Sequence, residues 1–164
     1  MKYLIYISLT LLIFSCSQER TQIGALEGVW ERVGTILYEN GKPVDTVPIA
    51  DNSFQVKIFG KTHTLWLGNS ISLDSTGFDT NPGNGGYSRN YIVKNGILTE
   101  FLSMGTDGIE NWVKSSYSKD ENGNYPISFK VIISNDYYSQ LWELDSLGNG
   151  NAEFYKRVEW VLII

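Results

Sequence analysis

Five Asn-Gly pairs punctuate this chain, at Asn40-Gly41, Asn84-Gly85, Asn95-Gly96, Asn122-Gly123 and Asn149-Gly150. Asn-Gly is the strongest short-range hairpin signal, because a type I′ turn demands positive φ at both central residues. The runs between the pairs are rich in β-branched and aromatic residues, so the pattern predicts an antiparallel meander. Candidate strands fall at 27–38, 54–59, 62–68, 86–93, 97–104, 109–118, 126–133, 137–145 and 152–162. So many strands in one open sheet would leave long unprotected edges, and closure removes them. The expected fold class is therefore all-β: an antiparallel up-and-down β-barrel of eight to ten strands with no substantial helix. A two-sheet sandwich is the alternative. Lys42 to Ser53 carries Pro43 and Pro48, which bars it from a central strand, and it is expected to be a loop. Asp74 to Gly86 (DSTGFDTNPGNGG) is dense in turn formers and is expected to be a second loop.

The front of the chain is of a different kind. Lys2 precedes an apolar run from Tyr3 to Phe14, broken only by Ser8 and Thr10. That run is shorter than the ~20 apolar residues a membrane-spanning helix needs, and it fits the h-region of a secretory signal. It ends in Ile13-Phe14-Ser15-Cys16, which resembles the lipobox of bacterial lipoproteins. The resemblance implies cleavage before Cys16 and acylation of its thiol, with residues 1–15 as signal peptide, 16–25 as lipidated cysteine and polar tether, and 26–164 as the barrel domain. Such an anchor would place the domain at the cell envelope, with the outer membrane as the expected destination.

Charge and residue inventory narrow the chemistry. The net charge of −5 becomes more negative once Lys2 is lost, which argues against nucleic acid as a partner. Cys16 is the sole cysteine and His63 the sole histidine, so neither a disulfide nor a zinc-type Cys/His set can form within the chain. Any Ser–His–Asp triad would have to pass through His63, which sits beside the Gly60-Lys61 turn at a strand start. The glycines at 83–86 precede a strand and lack the Gly-Lys-Ser/Thr ending of a phosphate loop. Asp74, Asp79, Asn81 and Asn84 lack the spacing of an EF-hand. The expectation is a protein that is not an enzyme and needs no cofactor or metal.

A family resemblance rests on several short pieces. Gly28-x-Trp30 opens the first strand, and Phe154-Tyr155-Lys156-Arg157-Val158 places a basic residue on the last. This pattern resembles the calycins: the lipocalins, fatty-acid-binding proteins and their bacterial lipocalin-like relatives. Gly85-Gly86-Tyr87 with Tyr91 and the following Thr99-Glu100 is similar to the middle hairpin of bacterial lipocalin-like lipoproteins, and Thr64-Leu65-Trp66 places an aromatic where they tend to have one. The resemblance implies a barrel whose closed end is plugged by Trp30, with Arg157 lying over the indole as a cation–π lid. The open end would be rimmed by 41–53 and 74–86. The chain departs from a full lipocalin in having neither a C-terminal helix nor a disulfide, and Asn135-Asp136-Tyr137-Tyr138 is a partial echo of the family's Asp-Tyr strand motif.

Within that frame, Glu100 is the acid of most interest, because it interrupts the apolar run Ile97 to Leu102. Such a residue either points to water or is buried with a partner. Arg32 shares the face of Trp30 by strand alternation and is the partner the sequence suggests. Ile36, Tyr38, Trp66, Tyr91, Trp112 and Trp142, together with Arg32 and Glu100, are the candidate cavity-lining residues. Two functional readings follow. One is a membrane-anchored protein that binds a small apolar or amphiphilic ligand; the other is a ligand-free structural or protein-interaction module.

Overall fold

The computed structural model describes residues 24–70 and 83–159. The apolar N-terminal run, Cys16 and most of the 74–86 segment lie outside them. Among the described residues, 24–26 are helical, and nine strands and one longer helix follow in chain order: β1 (Gly28–Glu39), β2 (Lys42–Pro48), β3 (Ser53–Phe59), β4 (Thr64–Ser70), β5 (Asn84–Lys94), β6 (Ile97–Gly105), α1 (Asp107–Ser116), β7 (Tyr125–Ile133), β8 (Tyr137–Leu141) and β9 (Gly150–Arg157). Neighbouring strands pair antiparallel in the order β2-β1-β3-β4-β5-β6-β7-β8-β9, and β1 also pairs with β9. That last pairing runs from Trp30↔Arg157 to Tyr38↔Gly150 and closes eight strands into an up-and-down barrel, as the turn pattern predicts. The barrel leaves β2 outside as a flap on the second half of β1.

Two Asn-Gly pairs are the expected two-residue hairpins. Asn40 and Gly41 take φ of 51° and 75° between β1 and β2, and Asn95 and Gly96 take 52° and 74° between β5 and β6. Gly123 (φ 79°) sits in a longer turn whose amides are held by the Asp120 carboxylate. The remaining two pairs are not turns: Asn84-Gly85 begins β5 and Gly150 begins β9. At the β8–β9 connection the positive φ belongs to Gly148 instead, at 78°.

Two local expectations are corrected. The 42–53 segment is not all loop, because Lys42–Pro48 forms the exposed edge strand β2. Proline is tolerated there, where one side of the strand has no partner to receive an N–H. Gly34 makes the pairing possible, since a side chain at that position would meet the Val47 carbonyl at 2.8 Å. The 109–118 segment is not a strand but helix α1. Ile109, Trp112 and Val113 lie one helical turn apart, Asp107 and Glu110 occupy its first turn, and Lys114 its last. This charge order complements the helix dipole, and Glu110 pairs with Lys114 at 3.0 Å.

The core is layered along the barrel axis. At the closed end, Leu26, Trp30, Phe59, Tyr91, Tyr138 and Tyr155 are all buried. The Trp30 ring meets Tyr138 edge-on, with centroids 5.0 Å apart, and Tyr138 stacks on Tyr155 at 4.5 Å. Arg157 seals this end. Its guanidinium lies 4.1 Å from the Trp30 ring centroid and donates to the carbonyls of Ala25, Glu27 and Asn135. Gly28 has φ of 131°, and a Cβ there would come within 2.7 Å of the Arg157 guanidinium. The glycine of Gly28-x-Trp30 is thus required by its backbone conformation, and a side chain there would also push the Arg157 guanidinium aside.

Candidate functional site

Above the aromatic layer the barrel interior turns polar. In β3 the alternation runs opposite to the simplest expectation. Phe54 and Ile58 face outward and are exposed, while Gln55 and Lys57 face inward. Lys57 is 2% exposed and Glu100, from β6, is 5% exposed, and their charged ends meet at 2.8 Å. Lys57 Nζ also donates to Gln140 Oε1 of β8 at 2.8 Å, and it lies 5.1 Å from the Phe129 ring centroid and 5.4 Å from that of Phe59.

The network continues around the barrel. Gln140 donates through Nε2 to Glu153 Oε2 on β9, which also accepts from the Tyr155 hydroxyl at 2.7 Å. Gln55 Nε2 donates to the Tyr155 oxygen at 2.7 Å, and Gln55 Oε1 accepts from Arg32 Nη1 at 2.8 Å. Arg32 reaches Glu153 at 3.5 Å and Thr35 Oγ1 at 2.7 Å. Two cations and two carboxylates are therefore cross-linked by two glutamines inside one barrel section. The expected Glu100–Arg32 pair does not form: Lys57 is the partner of Glu100, and Arg32 serves Glu153. The reason is register, since Lys57 lies deeper along the barrel than Arg32 and reaches Glu100 first.

This polar layer is the floor of a cavity of about 230 Å³. Gln55, Lys57, Glu100, Gln140 and Glu153 form the floor. The walls are Trp66, Ser88, Leu102, Ile127, Phe129 and Trp142, and the helix contributes Ile109 and Trp112. Gly86 shapes one wall. A Cβ there would lie 2.5 Å from Trp66 Nε1 and 2.9 Å from a Leu102 methyl, so its lack of a side chain lets the indole lie against β5. Trp142 meets Phe129 edge-on at 4.7 Å and Trp112 at 5.8 Å, which ties the helix to the wall. A second cavity of about 400 Å³ shares Gln55, Trp66 and Ile109 with the first and is bordered by Arg32, Asn84 and the 48–50 connection.

Of the residues singled out in the sequence, Trp66, Glu100, Trp112 and Trp142 line the 230 Å³ cavity, and Arg32 lines the second. Ile36 and Tyr38 lie between β2 and β9 and line neither. Tyr91 belongs to the closed-end layer: its ring meets Phe59 at 5.3 Å and its hydroxyl donates to the Gly60 carbonyl at 2.8 Å. Cys16 falls outside the described residues. Sequence reasoning missed Lys57, Gln55, Gln140 and Glu153, the four polar residues that complete the floor. His63 is exposed, hydrogen-bonded to Thr62 and stacked on Tyr87, at the strand start expected for it. Among the described residues, no group of three or more His, Cys, Asp or Glu is placed to hold a metal ion.

The buried phenols give the barrel an alkaline limit. Burial, reinforced by the negative charges of Glu27 and Glu100, pushes the Tyr91 phenol from 10.0 up to about 12. Burial also raises Tyr138 and Tyr155 well above the usual tyrosine range. Above pH 10 the unfolded chain loses these protons while the folded chain keeps them, so protons bound favour the fold and stability falls with rising pH. Stability to urea should hold steady up to pH 10 and decline from there through about 12. Tyr91→Phe should start about 1 kcal/mol lower, for the lost bond to Gly60, yet decline less steeply. An identical alkaline slope in the variant would show that Tyr91 does not contribute.

No protein-family model, curated protein or solved structure matches this chain at a significant level.

Proposed function

We propose that this protein binds a small, mostly apolar molecule inside its barrel and is held at the cell envelope by a lipid on Cys16. The observation that supports this most directly is the 230 Å³ cavity, with aromatic walls and a polar floor already cross-linked into a fixed geometry. Binding sites for small molecules are of this kind, mostly apolar with a few polar groups set to orient the ligand. A barrel interior intended only as core would be filled by its own side chains. The Gly28-x-Trp30 and Arg157 pattern, which resembles the lipocalins, supports the same reading, as does the lipobox-like Ile13 to Cys16.

One measurement tests both halves. Membranes of cells producing the full chain are extracted in mild detergent, and the purified protein is analysed by native and then denaturing mass spectrometry. The expected denatured mass is that of the chain from Cys16 onward plus its acyl groups. The expected native mass is larger by one small molecule that denaturation releases. A chain of unmodified mass overturns the anchor. Repeated preparations without a released molecule overturn the binding reading and favour a ligand-free interaction module.

A further inference from the structure

The alternation of β3 that turns Gln55 and Lys57 inward gives the barrel an apolar outer face. Pairing aligns Ile58, Leu65, Tyr87 and Met104 in one row across β3, β4, β5 and β6. Val56 and Leu67 pair in a second row beside it, and Phe54 lies beyond on β3. Phe54, Ile58, Leu65, Leu67 and Met104 are each 36–60% exposed and together present roughly 400 Å² of apolar surface, a size that marks an interaction site when contiguous. None of these seven residues is charged, in a chain with 18 acidic and 13 basic residues.

Area and border select what covers this face. A stable interface between two copies buries about 800 Å² per partner, about twice what the face offers. A lipid surface fits its border. Lys61 and His63 in the β3–β4 turn and Arg89 on β5 are exposed along the closed-end side, and His63 stacks on Tyr87. Cations and rings at the rim of an apolar face suit the boundary between headgroups and acyl chains. Glu31, paired with Val56, borders the face on β1. The chain upstream sets the reach. Ala25 sits at the closed end, its carbonyl bonded to Arg157, nine residues after Cys16, a span of at most about 32 Å. The row through Ile58 lies at that same end, next to the buried Phe59.

Resting on the Cys16 anchor proposed above, we infer that the outer face of β3 to β6, with Phe54, Leu67 and Met104 at its centre and edges, lies against the lipid surface. The anchored barrel then rests on its side instead of standing free on its tether. Phe54 also borders the cavity of about 400 Å³, which shares Gln55, Trp66 and Ile109 with the smaller one. The face that meets lipid therefore adjoins the interior, and an apolar molecule dissolved in the membrane has the shorter way in.

Spin labelling of the acylated chain, reconstituted in phosphatidylethanolamine–phosphatidylglycerol vesicles, tests the inference. Acylation occupies the thiol of Cys16, the sole native cysteine, so Leu67→Cys, Met104→Cys and Ile132→Cys each supply one free thiol for a nitroxide. All three positions are at least half exposed and accept the change. Ile132 is the reference, on β7, four strands on from β3 around the barrel. Labels at Leu67 and Met104 should collide with oxygen and be shielded from a water-soluble nickel chelate. Their oxygen-to-nickel collision ratio should be several-fold higher than that at Ile132. Equal ratios at the three positions in acylated protein would overturn the inference and leave the anchor standing. Shielding that comes with dipolar broadening between Leu67 labels, relieved by dilution with unlabelled protein, would overturn it in favour of a second copy. Shielding in native membranes but not in pure lipid would overturn it in favour of a protein partner. A chain of unmodified mass that stays out of the vesicles would instead overturn the anchor reading, on which the inference rests.

Discussion

Lys57→Met is expected to destabilise the protein by about 3–5 kcal/mol, the cost of leaving a buried carboxylate without its cation. Lys57 and Glu100 are both almost inaccessible, so water cannot replace the ammonium at 2.8 Å from Oε2. Methionine keeps most of the side-chain length, so the main loss is of the charge that sits near the Phe59 and Phe129 rings rather than of volume. Urea unfolding should show the shift as a lower midpoint with an unchanged slope. The double variant Lys57→Met/Glu100→Leu should recover most of the loss, because apolar residues in place of a buried ion pair are neutral or stabilising by about 1–4 kcal/mol. Recovery should be incomplete, since Gln140 Oε1 loses its donor in both variants. The polar floor would then be a feature whose stability cost is tolerated, as a binding site requires and a core does not. A single variant that costs under about 1 kcal/mol would show that the pair is solvated, and the floor could not act as described.

The same residues show why the site was harder to read than the barrel. Turn chemistry is local, and Asn40-Gly41 and Asn95-Gly96 announce their hairpins through two adjacent residues. Closure was legible too, because Gly28, Trp30 and Arg157 are each demanding residue types whose positions on the first and last strands agree with one another. The floor has no such local mark. In Ser53–Phe59 the apolar Phe54 and Ile58 point to the outside and the polar Gln55 and Lys57 to the inside. Alternation alone fixes which residues share a face, not which face is the interior. A reader who assumes an apolar inside places Lys57 in water. Glu100 drew attention only because its neighbours on both faces are apolar, and its partner could not be chosen without the register that brings β3, β6 and β8 together. The helix escaped for another reason: its apolar stripe consists of Ile109, Trp112 and Val113 alone, too short a run to stand out from a strand pattern. Its Asp107, Glu110 and Lys114 placement was the signal that could have found it.

Trp30→Ala should cost about 3–5 kcal/mol, the range for truncating a large aromatic in a packed core. Three separate losses converge at this position. The indole is fully buried against Tyr138, so its removal opens a void in the closed-end layer. The Arg157 guanidinium loses the ring 4.1 Å beneath it, a contact worth about 0.5–2 kcal/mol. The Leu26 carbonyl loses the Nε1 donor at 2.7 Å inside a buried site. For a domain whose whole stability is expected to be about 5–15 kcal/mol, this is a large share. Trp30→Phe separates the contributions. It keeps an aromatic face for Arg157 and most of the volume, and loses the bond to Leu26, so its cost should lie well below that of alanine. Because Trp30 does not line the cavity, whatever fraction of either variant remains folded should retain the small molecule expected to co-purify with the wild-type protein, with wild-type affinity. A large loss of stability with affinity preserved is the signature of a plug that closes the barrel. A weakened affinity in folded Trp30→Phe would instead mean that the closed end and the polar floor move together, with Tyr138 and Tyr155 as the layer that joins them.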